Sequence, residues 1–207
     1  MSERATATSA LTYAVAGRAK PGETESGDGY VVVPCVNGTL AAVIDGLGHG
    51  PLAAVATRNA QAILESQSAR NGDDLPELVR RCQRQLIGTR GAVMTLAFFS
   101  VISPTMAWIG VGNVEGVLLR AAPSLDSTRV VLRGGVVGGT IPSLHCSTVT
   151  LTDGDVLILA TDGITSRFSA DVDRASEPAQ IADDILGNFA KESDDALVLV
   201  ARWNASP

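Results

Sequence analysis

Four stretches of the sequence put aspartate at the edge of an apolar run. Asp28 lies in "ESGDGYVVV", Asp45 in "AAVIDGLGHG", Asp162 in "DVLILATDGI", and Asp194 with Asp195 in "ESDDALVLV". A run such as Ala41-Ala42-Val43-Ile44 is too apolar for an exposed strand, so the carboxylate that follows it is held by a buried, rigid element. Gly46, Gly48 and Gly50 give the following turn backbone freedom and let a ligand approach the main chain. Asp-Gly is also a common turn pair, and any one of these sites alone reads as a plain turn. Carboxylates gathered from four distant segments would repel one another, and a hard divalent cation, Mg²⁺ or Mn²⁺, removes that repulsion because it takes oxygen ligands.

Other chemistries are poorly supported. The chain has two histidines and three cysteines, Cys35, Cys82 and Cys146, with no CxxC pair, which argues against a Cys/His zinc site and for free thiols in a reducing compartment. No Ser/His/Asp or Cys/His constellation stands out. His49, inside the glycine turn, is a candidate proton donor, since imidazole exchanges protons near neutrality; a solvent-facing turn histidine is the competing assignment. Arg90, in a helix-to-strand loop, is a candidate substrate contact. A net charge of −6 argues against nucleic acid as a partner. No apolar run approaches the roughly 18 residues of a membrane span, and the N-terminus lacks a basic head followed by an apolar stretch, so no membrane association and a cytoplasmic location are expected.

The elements that must position these residues follow from periodicity. Strand patterns occupy 11–17, 30–36 and 39–45. Two helical patterns follow, at 50–69, with Ala53, Val55, Ala56, Ala60, Ile63 and Leu64 at helical spacing, and at 73–88, with Pro76 in the first turn and Gly88 as the stop. Strand patterns return at 92–102, 106–112, 115–121, 128–134, 147–153 and 155–162, then a helix at 177–192 and a strand at 196–203. Trp108, Phe98 and Phe99 read as core. The order lacks βαβ alternation, so mainly antiparallel sheets with helices outside are expected. The 207 residues suit one domain, 1–207, with its core at about 11–202 and no regulatory domain.

Taken in order, "SGDGY", "IDGLGHG", "TDGI" and "DDALVLV" resemble the metal-binding motifs of the type 2C (PPM) serine/threonine protein phosphatases. "TRGAVMTLAFFSV" and "WIGVGNVEGVLLR" are similar to the intervening strands of the small bacterial SpoIIE/RsbU-like branch, and "RGA", "GVGNV" and "GGTIP" resemble, within it, the stressosome phosphatases. The resemblance implies an α+β fold, a four-layer αββα sandwich of two mainly antiparallel sheets flanked by helices. It implies two Mn²⁺ or Mg²⁺ ions, with Asp45 bridging them, the Gly46 carbonyl on one, Asp162 and Asp194 on the other, Asp28 holding the second metal directly or through water, and Asp195 as the neighbour of the ligand, with a swap of Asp194 and Asp195 left open. The implied reaction is in-line hydrolysis of a phosphoester by cation-activated water, with no protein nucleophile. The implied partners are phosphorylated STAS-domain stressosome proteins, RsbR-like and RsbS-like, whose dephosphorylation turns the stress signal off; a monomer is expected. The alternatives are a phosphatase of an anti-anti-sigma factor and a non-catalytic binding module of the same fold. The stretch between "VLRGG" and "HCSTV" is too short for a long flap over the site. Specificity is therefore expected from docking of a folded partner on the loops after Gly46 and around Arg90 and Gly138-Gly139.

Overall fold

A computed structural model of the chain describes residues 2–7, 10–66, 69, 71–122, 124–170 and 172–205. Two sheets lie face to face. The first runs in the order β1 (Ser2–Ala7), β2 (Leu11–Arg18), β12 (Ala196–Trp203), β11 (Val156–Ala160), β7 (Glu115–Leu119), β8 (Thr128–Arg129). The second runs β10 (Ser147–Thr150), β6 (Thr105–Val111), β5 (Ala92–Ser100), β4 (Gly38–Gly46), β3 (Asp28–Cys35). β9 (Leu132–Arg133) pairs with β6 in parallel; the other strand pairs are antiparallel. Helices α1 (Pro51–Ser66) and α2 (Leu75–Leu86) cover the second sheet, and α3 (Pro178–Phe189) covers the first. This is the expected αββα sandwich.

The period of two in each strand divides its side chains between layers. In β4, Leu40, Ala42 and Ile44 pack under α1 and α2, while Ala41 and Val43 face the other sheet. In β12, Leu197, Leu199, Ala201 and Trp203 face inward, and Ala196, Val198 and Val200 lie under α3. Trp108, Phe98 and Phe99 are each 1% exposed, as core residues should be; Phe99 stacks on Trp203 across the sandwich at 6.2 Å between ring centroids.

The helices start and stop where local chemistry requires. Pro51 opens α1 directly after Gly50, which has φ +72°. A 3-10 turn (Gly72–Asp74) precedes α2 and is capped by Asn71, whose side-chain oxygen accepts from the Asp73 amide at 2.9 Å. Gly88, at φ +86°, follows the end of α2.

Three expectations change. Residues 2–7 form an edge strand that the polar sequence "SERATA" does not announce. The run 128–134 is not one strand. Thr128–Arg129 pairs with β7 in one sheet and Leu132–Arg133 with β6 in the other, so the chain crosses between sheets through Val130, which is 8% exposed. Val55, expected on the core face of α1, is exposed; Ala53, Ala54, Ala56, Ala60 and Leu64 form that face. Residues 67 and 68, at the expected end of this helix, lie outside the described residues.

Candidate metal centre

Asp45 continues the inward row of Ala41 and Val43, so its side chain emerges at the end of the inter-sheet core. Asp28 is its direct cross-strand partner in the β3–β4 register. Like charges opposite one another in a sheet repel. From the first sheet, Asp162 follows β11 and Asp194 precedes β12, two antiparallel neighbours whose ends meet at the same place. These four aspartates and Asp195 line one open cleft of ≈ 510 Å³ at this end of the sandwich, with Lys20, His49, Asn113, Gly134 and Gly135 among the other lining residues.

The glycines here answer to crowding as well as turn geometry. A Cβ on Gly46 would stand 2.3 Å from the Ala53 carbonyl oxygen of α1, and one on Gly163 would stand 1.8 Å from the Asp195 carbonyl oxygen. Both Asp-Gly pairs therefore allow a neighbouring main chain to close on the aspartate-bearing turn.

The electrostatics are those of crowded, part-buried carboxylates. Burial, then the charges of Asp162, Asp194 and Asp195, pushes the Asp45 carboxyl from its ordinary 3.8 to about 7. Burial also pushes Asp28 well above its ordinary value; Asp45 adds to the effect, and the Thr161 hydroxyl opposes it.

Around the carboxylates lie groups that hold them in place. Thr161, next inward after Leu157 and Leu159 in β11, donates from Oγ1 to Asp28 Oδ2 at 2.7 Å and accepts the Leu197 amide at 2.9 Å. Asn113 Nδ2 donates to Asp162 Oδ2 at 2.7 Å. Asp195 is 3% exposed, and its two oxygens accept the amides of Lys20 (2.7 Å) and Gly27 (2.8 Å). Among the described residues, Asp194 Oδ1 accepts the adjacent Asp195 amide at 3.0 Å. The sequence left the order of Asp194 and Asp195 open; both line the cleft, and Asp195 also ties the segment from Lys20 to Gly27. His49 lines the cleft with Nδ1 2.5 Å from Glu23 Oε1, so Nε2 is its remaining proton position. Arg90 is exposed on the rim, its Nη1 2.6 Å from where a Cβ on Gly48 would stand.

Thr161, Asn113 and the anchoring role of Asp195 escape a motif search. Inward periodicity in β11 was the one available signal for Thr161.

Among the described residues, no three His, Cys, Asp or Glu side chains stand close enough to enclose an ion by themselves. The donor set nevertheless fits a hard cation. It is all oxygen, it is overloaded with negative charge, and Mg²⁺ characteristically keeps several waters and binds through one or two carboxylates.

Comparison with known proteins agrees with this architecture. The profile of the Stage II sporulation protein E (SpoIIE) family matches residues 36–204. Phosphoserine phosphatase RsbX of Bacillus subtilis (strain 168) is 26% identical over 145 residues, 70% of each chain. Among solved structures, a protein from work on the bacterial stressosome as a modular system adapted to control secondary messenger signaling matches with a TM-score of 0.83 and 29% identity, over 93% of this chain and 99% of that one. RsbX in complex with magnesium matches with a TM-score of 0.84 and 21% identity, over 97% and 99%. The catalytic domain of the phosphatase PstP with two manganese ions matches with a TM-score of 0.71 and 18% identity, over 94% and 99%.

Proposed function

The chain belongs to the SpoIIE family and is a serine/threonine phosphatase, and we propose that it uses two Mn²⁺ or Mg²⁺ ions to dephosphorylate phosphoserine or phosphothreonine in STAS-domain proteins of a stressosome. The observation that carries the chemistry is the single cleft lined by Asp28, Asp45, Asp162 and Asp194, with the turn at Gly46 beside it. Asp28, Asp45, Asp162, Asp194 and the Gly46 carbonyl would hold the ions. When bound, the ions supply activated water and neutralise phosphoryl charge.

The chain's own residues do the rest. Thr161 fixes Asp28 from the opposite sheet, and Asn113 fixes Asp162. Asp195 pins the Lys20 main chain, which keeps Lys20 at the cleft wall, where its ammonium suits a phosphoryl oxygen. His49 Nε2 would hand a proton to the departing serine or threonine oxygen, with Glu23 fixing the ring through Nδ1. Arg90 would meet the substrate at the rim. The stressosome assignment draws on the likeness to RsbX and to the protein from the stressosome work. Its test is incubation of phosphorylated RsbR-like and RsbS-like proteins with the enzyme and Mn²⁺, followed by intact mass. Loss of the phosphate mass is expected. Unchanged mass, alongside turnover of another phosphoserine protein, would rule out the stressosome substrates.

A further inference from the structure

We propose that Lys191 is a positioning residue for the candidate metal centre: its ammonium holds the turn that carries Asp162 at a fixed spacing from the segment that carries Asp194. The proposal rests on the phosphatase assignment above and on the cations it entails.

Two segments meet here. Asp162 and Gly163 form the turn after β11, and residues 190–195 run from the end of α3 to the start of β12. Main-chain pairing lays one against the other. Ala190 and Ile164 form an antiparallel bridge, the Thr165 amide donates to the Phe189 carbonyl at 2.9 Å, and the Lys191 amide donates to the Gly163 carbonyl at 2.7 Å. The Lys191 side chain then reaches back to the same turn, and its Nζ donates to the Asp162 carbonyl at 2.5 Å. The Lys191 carbonyl in turn accepts Arg18 Nη2, from the end of β2, at 2.7 Å. Asn113 holds the carboxylate of Asp162, so main chain and side chain of this residue are each fixed by a separate donor.

An exposed lysine ordinarily leaves its ammonium in water. Lys191 is exposed, yet its ammonium links two segments that each bring an aspartate to the cleft. Asp194 follows it by three residues, so one short segment supplies a carboxylate and the grip on its neighbour's peptide. The direction of the Asp162 side chain is set at Cα by the peptide planes on either side, and the gripped carbonyl belongs to one of them. A small hard cation tolerates little error in ligand placement, and groups that orient ligands weigh heavily in metal affinity.

Charge and geometry act with opposite sign. An ammonium beside cations repels them, so through charge alone its removal would tighten metal binding. Through geometry, its removal loosens binding. Water around the exposed ammonium screens the repulsion, whereas the hydrogen bond acts at contact, so geometry is the larger effect.

The test titrates Mn²⁺ calorimetrically into chelator-stripped protein and follows p-nitrophenyl phosphate hydrolysis against Mn²⁺ concentration. Lys191→Met removes the donor, and Lys191→Arg restores one. Arg80→Met makes the same charge change on an exposed residue of α2 and serves as the control. Lys191→Gln replaces Lys191→Met if circular dichroism shows a disturbed fold. Lys191→Met should bind Mn²⁺ about tenfold more weakly. The Mn²⁺ concentration for half-maximal rate should rise in step, while KM for the substrate stays level. Lys191→Arg should recover most of the affinity, and Arg80→Met should match the wild type. Unchanged or tighter Mn²⁺ binding in Lys191→Met, or an equal loss in Lys191→Arg or Arg80→Met, would overturn the positioning role and leave the phosphatase assignment standing. A wild type that binds no Mn²⁺ and cleaves neither this substrate nor a phosphoserine protein would overturn that assignment, and the positioning role with it.

Discussion

Asp28 and Asp45 face each other across a strand pair, and Asp45 adds to the burial that opposes ionisation of Asp28, while burial and then Asp162, Asp194 and Asp195 oppose that of Asp45. For Asp45 the folded value of about 7 lies above the ordinary 3.8. Between those values the folded chain holds a proton that the unfolded chain has released, so metal-free stability falls as pH rises across that window. Asp45→Asn is neutral at every pH. Its thermal midpoint in chelator should decline less between about pH 4 and pH 7 than that of the wild type, while its turnover is lost. Parallel melting curves for the two proteins would contradict the assignment. The two neighbouring aspartates separate in a second experiment. Asp195→Ala removes the acceptor of two main-chain amides and should cost about 3 kcal/mol or more in a denaturant titration. Asp194→Ala should leave stability nearly unchanged and weaken Mn²⁺ binding by calorimetry. The sequence could not order this pair, because adjacent residues at a strand start point to opposite faces and either one suits a ligand. The other aspartates stood out as candidates because a charge at the end of a buried run carries a desolvation cost that a bound cation would offset.

At the scale of elements, β11 and β12 deliver half of the carboxylates, and Thr161 ties them to β3. Thr161→Val loses the bond to Asp28 and leaves the buried Leu197 amide without its hydroxyl acceptor. We expect Mn²⁺ affinity to fall by roughly 10–100-fold and stability by about 1–3 kcal/mol, with Thr161→Ser retaining most of both. Calorimetric Mn²⁺ titration and chemical denaturation of the three proteins read the two effects separately. Equal Mn²⁺ affinity in wild type and Thr161→Val would show that Asp28 needs no support from the other sheet. Threonine is an ordinary strand residue, so composition gives it no prominence; its role depends on which strand of the other sheet lies opposite. The split of residues 128–133 was hidden for a related reason. Val130, Val131 and Leu132 read as one strand, and only the gap between the two sheets makes the chain change partners midway.

At the scale of the whole molecule, the sandwich brings four distant segments to one end, and the alternation along β4 and β12 explains how. One face of each strand meets the other sheet, the opposite face meets a helix, and the inward rows run out at the cleft. That alternation is muted in the sequence, since both faces of β4 are apolar, so periodicity showed buried strands without showing which sheet each joined. The edge strand at 2–7 was illegible because "SERATA" carries no apolar run. Val55 is exposed because Ala53, Ala56, Ala60 and Leu64 already form the buried face of α1. If the converging carboxylates hold divalent cations for phosphoester hydrolysis, turnover must follow cation occupancy. The decisive experiment is phosphate release from a phosphoserine protein after exhaustive chelation, followed by titration with Mn²⁺ or Mg²⁺, with Asp45→Asn alongside. No release is expected without cation, with recovery that saturates on adding it and no recovery in the variant. Full turnover in the metal-free wild-type protein would contradict a cation-dependent site.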